Sequence, residues 1–346
     1  MNAMTESVRD LPGNPRRVAW YRVPIDKQTM KALHRRSDLK GAVQLSGHLA
    51  LIVALGTLAW WNRHQPALLV PLLFLYGTCF AFIMNATHEL SHHTVFRTRF
   101  LNRFFLALYS FFGWRSYEVF RASHGEHHRY TLHQPDDLEV VLPSQITLRT
   151  FLATAFVDVL YLHIALRNTL ALSVGRPAGV WNQHLLNMME EPRRRGVIRW
   201  ARFILIGHAT IITVSFALGL WMIPLLTSFA IFFGQWLRFL CNNTQHAGLT
   251  DDVPDFRLCT RTVILGSVVR FLYWHMNYHI EHHMYPAVPC YNLGQLHAAI
   301  RHELPECPHG LIAAWRQIIG ILRRQREDPK YQFLPKVPVP MPAGAA

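Results

Sequence analysis

Four apolar runs, at about Val43–Trp61, Ala67–Thr87, Phe203–Ile223 and Pro224–Leu240, set the terms for this 346-residue chain. A bilayer core of roughly 30 Å takes about 20 helical residues to cross. Only helices or closed barrels satisfy their backbone there, and unbroken apolar runs of this length read as helices. The first pair is separated only by Asn62-Arg63-His64-Gln65-Pro66, and the second pair meets at Pro224, which reads as a sharp turn. The expected fold is therefore all-α and integral to a membrane, with two transmembrane helical hairpins (four spans) around a large intervening segment. The fourth run is the shortest and contains Gln235 and Arg238, so its lower end is expected to leave the hydrocarbon. Two weaker stretches, Leu101–Trp114 and Thr150–Val174, read as interfacial or re-entrant helices. The first is too short to span, and the second carries Asp158, His163 and Arg167, which are costly in lipid. Charged residues are only 16% of the chain, against about 25% in soluble domains, which excludes a disordered chain and disfavours an ordinary soluble enzyme.

Orientation follows from the basic residues. Of 35 Lys and Arg, all but Arg63 and Arg238 fall in 1–42, 88–202 and 241–346. That side is expected to be cytoplasmic, with both termini on it. The start, MNAMTESVRDLPGNPRR, lacks the apolar core of a signal peptide and reads as disordered. Residues Ile25–Lys40 read as an amphipathic surface helix, and KVPVPMPAGAA as a loose proline-rich tail. The expected organisation is an N-terminal cytosolic segment over 1–42, a main domain over 43–300, and a C-terminal cytosolic helix and tail over 301–346. Five cysteines without a CxxC pair point to a reducing compartment and no zinc ribbon. The net charge of +14 serves the positive-inside rule and anionic lipid, so no nucleic-acid partner is expected.

Histidine is the unusual residue, at 21. Three groups stand out: HELSHH (His88, His92, His93) after the second run, HGEHH (His124, His127, His128), and HIEHH (His279, His282, His283) after the fourth. Residues three and four apart share a helix face, so H-x-x-H-H gathers its imidazoles into one small volume. Imidazole suits zinc, copper, iron or nickel rather than magnesium or calcium. So many converging imidazoles exceed the four ligands of a structural zinc and suit two transition-metal ions. Isolated histidines such as His34, His48, His64, His163, His208, His297, His302 and His309 read as ordinary side chains.

HELSHH, HGEHHRY and NYHIEHHMYP resemble the three histidine boxes of the membrane fatty-acid desaturase and hydroxylase superfamily, over roughly residues 40–300. The resemblance implies four spans with a cytosolic helical cap, and a di-iron centre that uses dioxygen. It implies metal ligands at His88, His92, His124, His127, His128, His279, His282 and His283. A further ligand is implied at His246, with Asn242 acting through a water, from the N-x-x-x-H of Asn242-Asn243-Thr244-Gln245-His246. First boxes of this family run H-x3-H or H-x4-H; the E-L-S filler favours His92, and His93 is then a neighbour. QHAGLTDDVPDFRLCTRTV and RFLYWHMNYHIEHHMYPAVP resemble a soil-bacterial branch with fatty-acyl desaturases, a rhizobitoxine-type desaturase and a rhizopine-degrading oxygenase. No H-P-G-G haem motif is present, so the implied electron donor is a separate carrier of the ferredoxin type.

An unactivated C–H bond needs an oxidant that no side chain supplies, so no catalytic residue is expected beyond the metal centre. Removing two neighbouring hydrogens gives a double bond, and returning hydroxyl gives an alcohol. The boxes serve both, on a fatty-acyl chain or on a smaller amphiphilic metabolite. Glu89, Glu126, Glu281 and the pair Asp136-Asp137 are candidates for orienting imidazoles, as weighed against solvated charges. A metal transporter is the remote alternative. It would carry ligands within its spans near the midplane, whereas these sit at the cytoplasmic exits.

Overall fold

A computed structural model describes residues 17–144 and 146–338, so the leading 1–16 and the end of the proline-rich tail lie outside the described residues. Among the described residues the chain is helical, with isolated bridges such as Tyr21–Asp255 but no strand. Three helices are long and apolar enough to cross a membrane: Asp38–Trp61, Pro66–Ser91 and Glu191–Ala217.

Helix α1 (Lys27–Leu33) starts under Asp26, whose carboxylate accepts from the Gln28 and Thr29 N–H groups. The chain restarts under Ser37 as α2 (Asp38–Trp61), 24 residues or about 36 Å long. The single surface helix expected over 25–40 is therefore two elements, because Asp26 and Ser37 each cap a separate start. Pro66 opens α3 (Pro66–Ala81) at the first turn, where its missing N–H costs nothing. After an interruption at Phe82 comes α4 (Ile83–Ser91). Next are α5 (Arg99–Phe112), α6 (Tyr117–Tyr130), α7 (Leu148–Ala155), α8 (Val159–Ser173) and α9 (Val180–Met188).

The third long helix, α10 (Glu191–Ala217), begins earlier than the apolar run suggested and includes the basic Arg193–Arg195. Its exit turn is at Gly219 (φ +71), not at Pro224, which lies inside the short α11 (Met222–Leu226). The fourth run is not one continuous helix: a 3₁₀ turn at Ala230–Phe232 and a break precede α12 (Trp236–Asn242). Side chains of neighbouring helices explain the break by taking over the backbone's hydrogen bonds. Tyr76 donates to the Leu226 carbonyl and Trp114 Nε1 to that of Ser228, at 2.8 Å for the latter. Gly234 (φ +69) and Gly77 allow the closest approach: a Cβ on Gly77 would meet the Phe233 ring at 2.3 Å. The α-helices that follow among the described residues are α13 (Phe256–Cys259), α14 (Ser267–Leu272), α15 (His279–Met284), α16 (Leu293–Ile300) and α17 (Gly310–Glu327).

The chain divides into two compact units, with the boundary inside α6 after His124. The unit of 37–124 and 145–240 packs α2 on α3, α4 on α5 and α8 on α10. Its long helices expose Val43, Val53, Val70, Phe203, Ile206 and Phe216, an apolar surface that suits lipid rather than water. The α7–α8 stretch likewise exposes Leu148, Leu152, Phe156, Val157 and Leu160. The other unit, 1–36, 125–144 and 241–346, is cored on Trp274, Phe256, Ile280 and Leu293, with α15 buried along its whole length. Ion pairs from Arg257 to Asp255 and Glu303 and the Trp20–Phe256 stack at 4.0 Å close its other side.

Candidate metal centre

In the unit that holds the long helices, α4 presents His88, its C-terminal cap is His92, and α6 brings His124. The three rings cluster, with centroids 5.1 Å apart for His88–His92, 4.2 Å for His88–His124 and 5.0 Å for His92–His124. The Nε2 atoms of His92 and His124 are 3.2 Å apart. His92 thus joins His88 in meeting His124, and His93 follows with its backbone in the left-handed region (φ +56). Glu89 accepts from His88 Nδ1 at 3.0 Å, which leaves the Nε2 lone pair of His88 for the cluster.

The other unit gathers His127, His246, His279 and His283, all buried, with one nitrogen from each within 4.8 Å of the others. His279 Nε2 lies 3.0 Å from His246 Nε2 and 3.1 Å from His283 Nε2. Hydrogen bonds at the far nitrogens decide the tautomers. His127 Nδ1 donates to Asp137 at 2.7 Å, and His246 Nδ1 donates to the Cys259 carbonyl at 2.9 Å. Thr131 spends its own proton on the His127 carbonyl, so its oxygen accepts from His283 Nδ1 at 3.1 Å. Three Nε2 lone pairs therefore converge on one buried volume, and the single proton His279 Nε2 can offer satisfies at most one of them. A cation resolves that conflict, and an all-imidazole donor set suits a transition metal. The residues present fit such an ion.

The remaining candidates divide. His128 lies with its ring 4.9 Å from His282 and 4.4 Å from His283. Asn242 ends α12 and is half-buried. Among the acidic candidates, Asp137 and Glu89 touch box imidazoles, whereas Glu126 pairs with Arg129 on the helix surface. Glu281 is fully buried but accepts from Thr262 and from His297 Nδ1 rather than from a box histidine. His297, which reads as ordinary in sequence, thus braces α15 from α16, and no spacing could have singled it out. Thr131 and the Cys259 carbonyl were missed for the same reason: their role depends on the fold. His133 bonds its own turn through the Tyr130 and Thr131 carbonyls.

Burial holds most of these imidazoles neutral. It pushes His246 down to about 3, and, with the nearby charges of His93 and Arg121, His92 down to about 4. His279 and His283 fall well below 6.5 for the same reason. His127 is the exception: burial lowers it, but the Asp137 charge and hydrogen bond prevail and raise it. In the metal-free protein, unfolding therefore takes up protons at the depressed histidines below the ordinary value of 6.5. Their stabilisation is whole above that pH and is lost on acidification, by about 1.4 kcal/mol per pH unit for each such group, with His127 acting in the opposite sense. Unfolding midpoints of metal-free protein in detergent should fall steadily from pH 7 to pH 5; a flat profile would contradict the neutral buried cluster.

Fold and site together define a class: an all-helical membrane protein with buried histidine clusters able to hold metal ions. The chain belongs to the fatty acid desaturase family, whose profile matches residues 65–315, and this makes it an oxidoreductase of the desaturase and hydroxylase type. A comparison with curated proteins finds no match.

Proposed function

We propose that this chain is a non-haem di-iron desaturase that introduces a double bond into a fatty-acyl or similarly hydrophobic chain. In this reaction the substrate gives up two hydrogens, a separate ferredoxin-type donor supplies two electrons, and with two further protons dioxygen leaves as two waters. The observation that carries the reading is the convergence of His127, His246, His279 and His283, with the lone pairs of His127, His246 and His283 already turned inward. The proposed iron ligands are His88, His92, His124, His127, His128, His246, His279, His282 and His283, with Asn242 acting through a water. When bound, the two irons supply the activation of dioxygen that the C–H bond requires.

The chain's own part is preparation. Asp137, Glu89, Thr131 and the Cys259 carbonyl hold four imidazoles in one tautomer, so no ring needs to turn before metal binds. Burial of the cluster keeps water from the oxidising site. A fourth crossing is part of the proposal. The first and third boxes share the cytoplasmic face only if residues 218–242 return across the bilayer. Irregular backbone is tolerated at that depth only where protein surrounds it. Ser228, Ala230, Ile231 and Gln235 are buried, which supports such a return.

The test is metal and product together. Protein loaded with ferrous iron should hold two irons per chain and consume dioxygen with a ferredoxin donor. Lipid profiling by mass spectrometry of producing cells should show new double bonds. Hydroxylated products would move the reading to the hydroxylase branch of the same chemistry, and iron-free protein with unchanged lipids would refute it.

A further inference from the structure

Arg115 occupies the turn between α5 and α6 and is pinned through its peptide. Its N–H donates to the Ser110 carbonyl at 2.9 Å, and its carbonyl accepts from Trp200 Nε1 at 3.0 Å. The guanidinium lies over the Phe120 ring, 4.2 Å from the centroid. Phe120 in turn stacks on His124, with centroids 5.2 Å apart and planes 14° apart, and reaches His88 at 6.3 Å. One aromatic ring therefore separates a permanent cation from the histidine cluster.

Four arginines of this unit meet carboxylates: Arg193 and Arg121 meet Glu118, and Arg194 and Arg195 meet Glu191. Half-buried Arg115 has no carboxylate partner among the described residues. A guanidinium taken partly out of water without a counter-charge is costly, and its fork of N–H groups matches a carboxylate or phosphate bidentately. An arginine serving only the positive-inside rule needs neither a pinned backbone nor a place against the metal-site rings.

We propose that Arg115 binds an anionic group of the substrate, a carboxylate or phosphate, and so selects amphiphiles whose charged end lies close to the oxidised carbon. The Phe120 ring flanks the apolar chain that follows. The proposal rests on the reading that the neighbouring histidines form the oxidising site. The same chemistry is offered by a phospholipid headgroup, and the experiment separates the two sources.

Full-length, iron-loaded protein in nanodiscs of zwitterionic lipid is titrated with octanoate, hexadecanoate, hexadecyl phosphate and hexadecanol. At least one anion should bind roughly tenfold or more tightly than the alcohol. Arg115→Gln should abolish that ratio and Arg115→Lys should keep part of it, with iron content unchanged in both. No preference for any anion in the wild type, or a preference that survives Arg115→Gln, would overturn the proposal. So would a preference abolished merely by adding phosphatidylglycerol to the discs, since the headgroup is then the occupant. If Arg115→Gln does not fold, hexadecanoate against its methyl ester on the wild type and Arg115→Lys decides between the same outcomes. An iron-free protein that still shows the Arg115-dependent ratio would sink the di-iron reading and leave this one standing.

Discussion

Replacing His279 with alanine is expected to empty one of the two proposed iron positions and to lower product formation by at least about 1,000-fold, some 4 kcal/mol on the barrier. His279 is the middle member of its cluster, 3.0 Å from His246 and 3.1 Å from His283 through Nε2 atoms. Without it, the lone pairs of His246 and His283 face a void instead of a shared ion. The variant should still insert in the membrane, because α15 keeps its apolar neighbours Ile280 and Met284, both buried. Iron per chain and lipid products of the same preparation decide it. Wild-type values in both would remove the site. His92→Ala and His93→Ala make the matching contrast. The first should lose iron because its Nε2 lies 3.2 Å from that of His124, and the second should keep it. His208→Ala should lower stability without lowering iron. That ring is stacked between Phe111 and Trp114 at 4.3 and 4.1 Å, and its nitrogens are engaged by Ser228 and the Phe111 carbonyl.

Much of this was legible before any coordinates. The i, i+3, i+4 spacing within HGEHH and HIEHH is helix geometry, so the gathering of imidazoles could be read directly. Apolar length located α2, the α3–α4 pair and, with shifted ends, α10. Hydropathy did not reveal the breaks within 218–242 because it registers composition, not hydrogen-bond partners. The carbonyls of Leu226 and Ser228 are capped by Tyr76 and Trp114, more than a hundred residues away in sequence, and nothing in the local pattern announces it. The N-terminal helix was misjudged for the opposite reason: two local caps, Asp26 and Ser37, divided an amphipathic pattern that looked continuous. The partners of the imidazoles fall between these cases. Asp137 stood near the second box and was a candidate, but its choice over Asp136 depends on a turn in which the Leu132 and Glu139 N–H groups also point at it.

That turn carries the second large effect. Asp137→Asn should weaken iron binding by about 10- to 100-fold while the protein folds and inserts. The Asp137 carboxylate is fully buried and takes three donors: His127 Nδ1 at 2.7 Å, and the N–H groups of Leu132 and Glu139 at 2.9 Å each. An amide has one accepting oxygen where the carboxylate has two. If that oxygen faces His127 and Leu132, the amide nitrogen meets the Glu139 N–H, donor against donor. If it turns to Glu139, the amide N–H meets His127 Nδ1 and forces the proton to Nε2, where it blocks the lone pair the metal requires. The loss of charge acts in the same direction, because the carboxylate is what raises His127 against the effect of burial. Iron titrations of wild type and variant at equal pH measure the change directly. Equal affinity would mean that the His127 tautomer is set by something other than Asp137, and the argument from converging lone pairs would lose one of its three members.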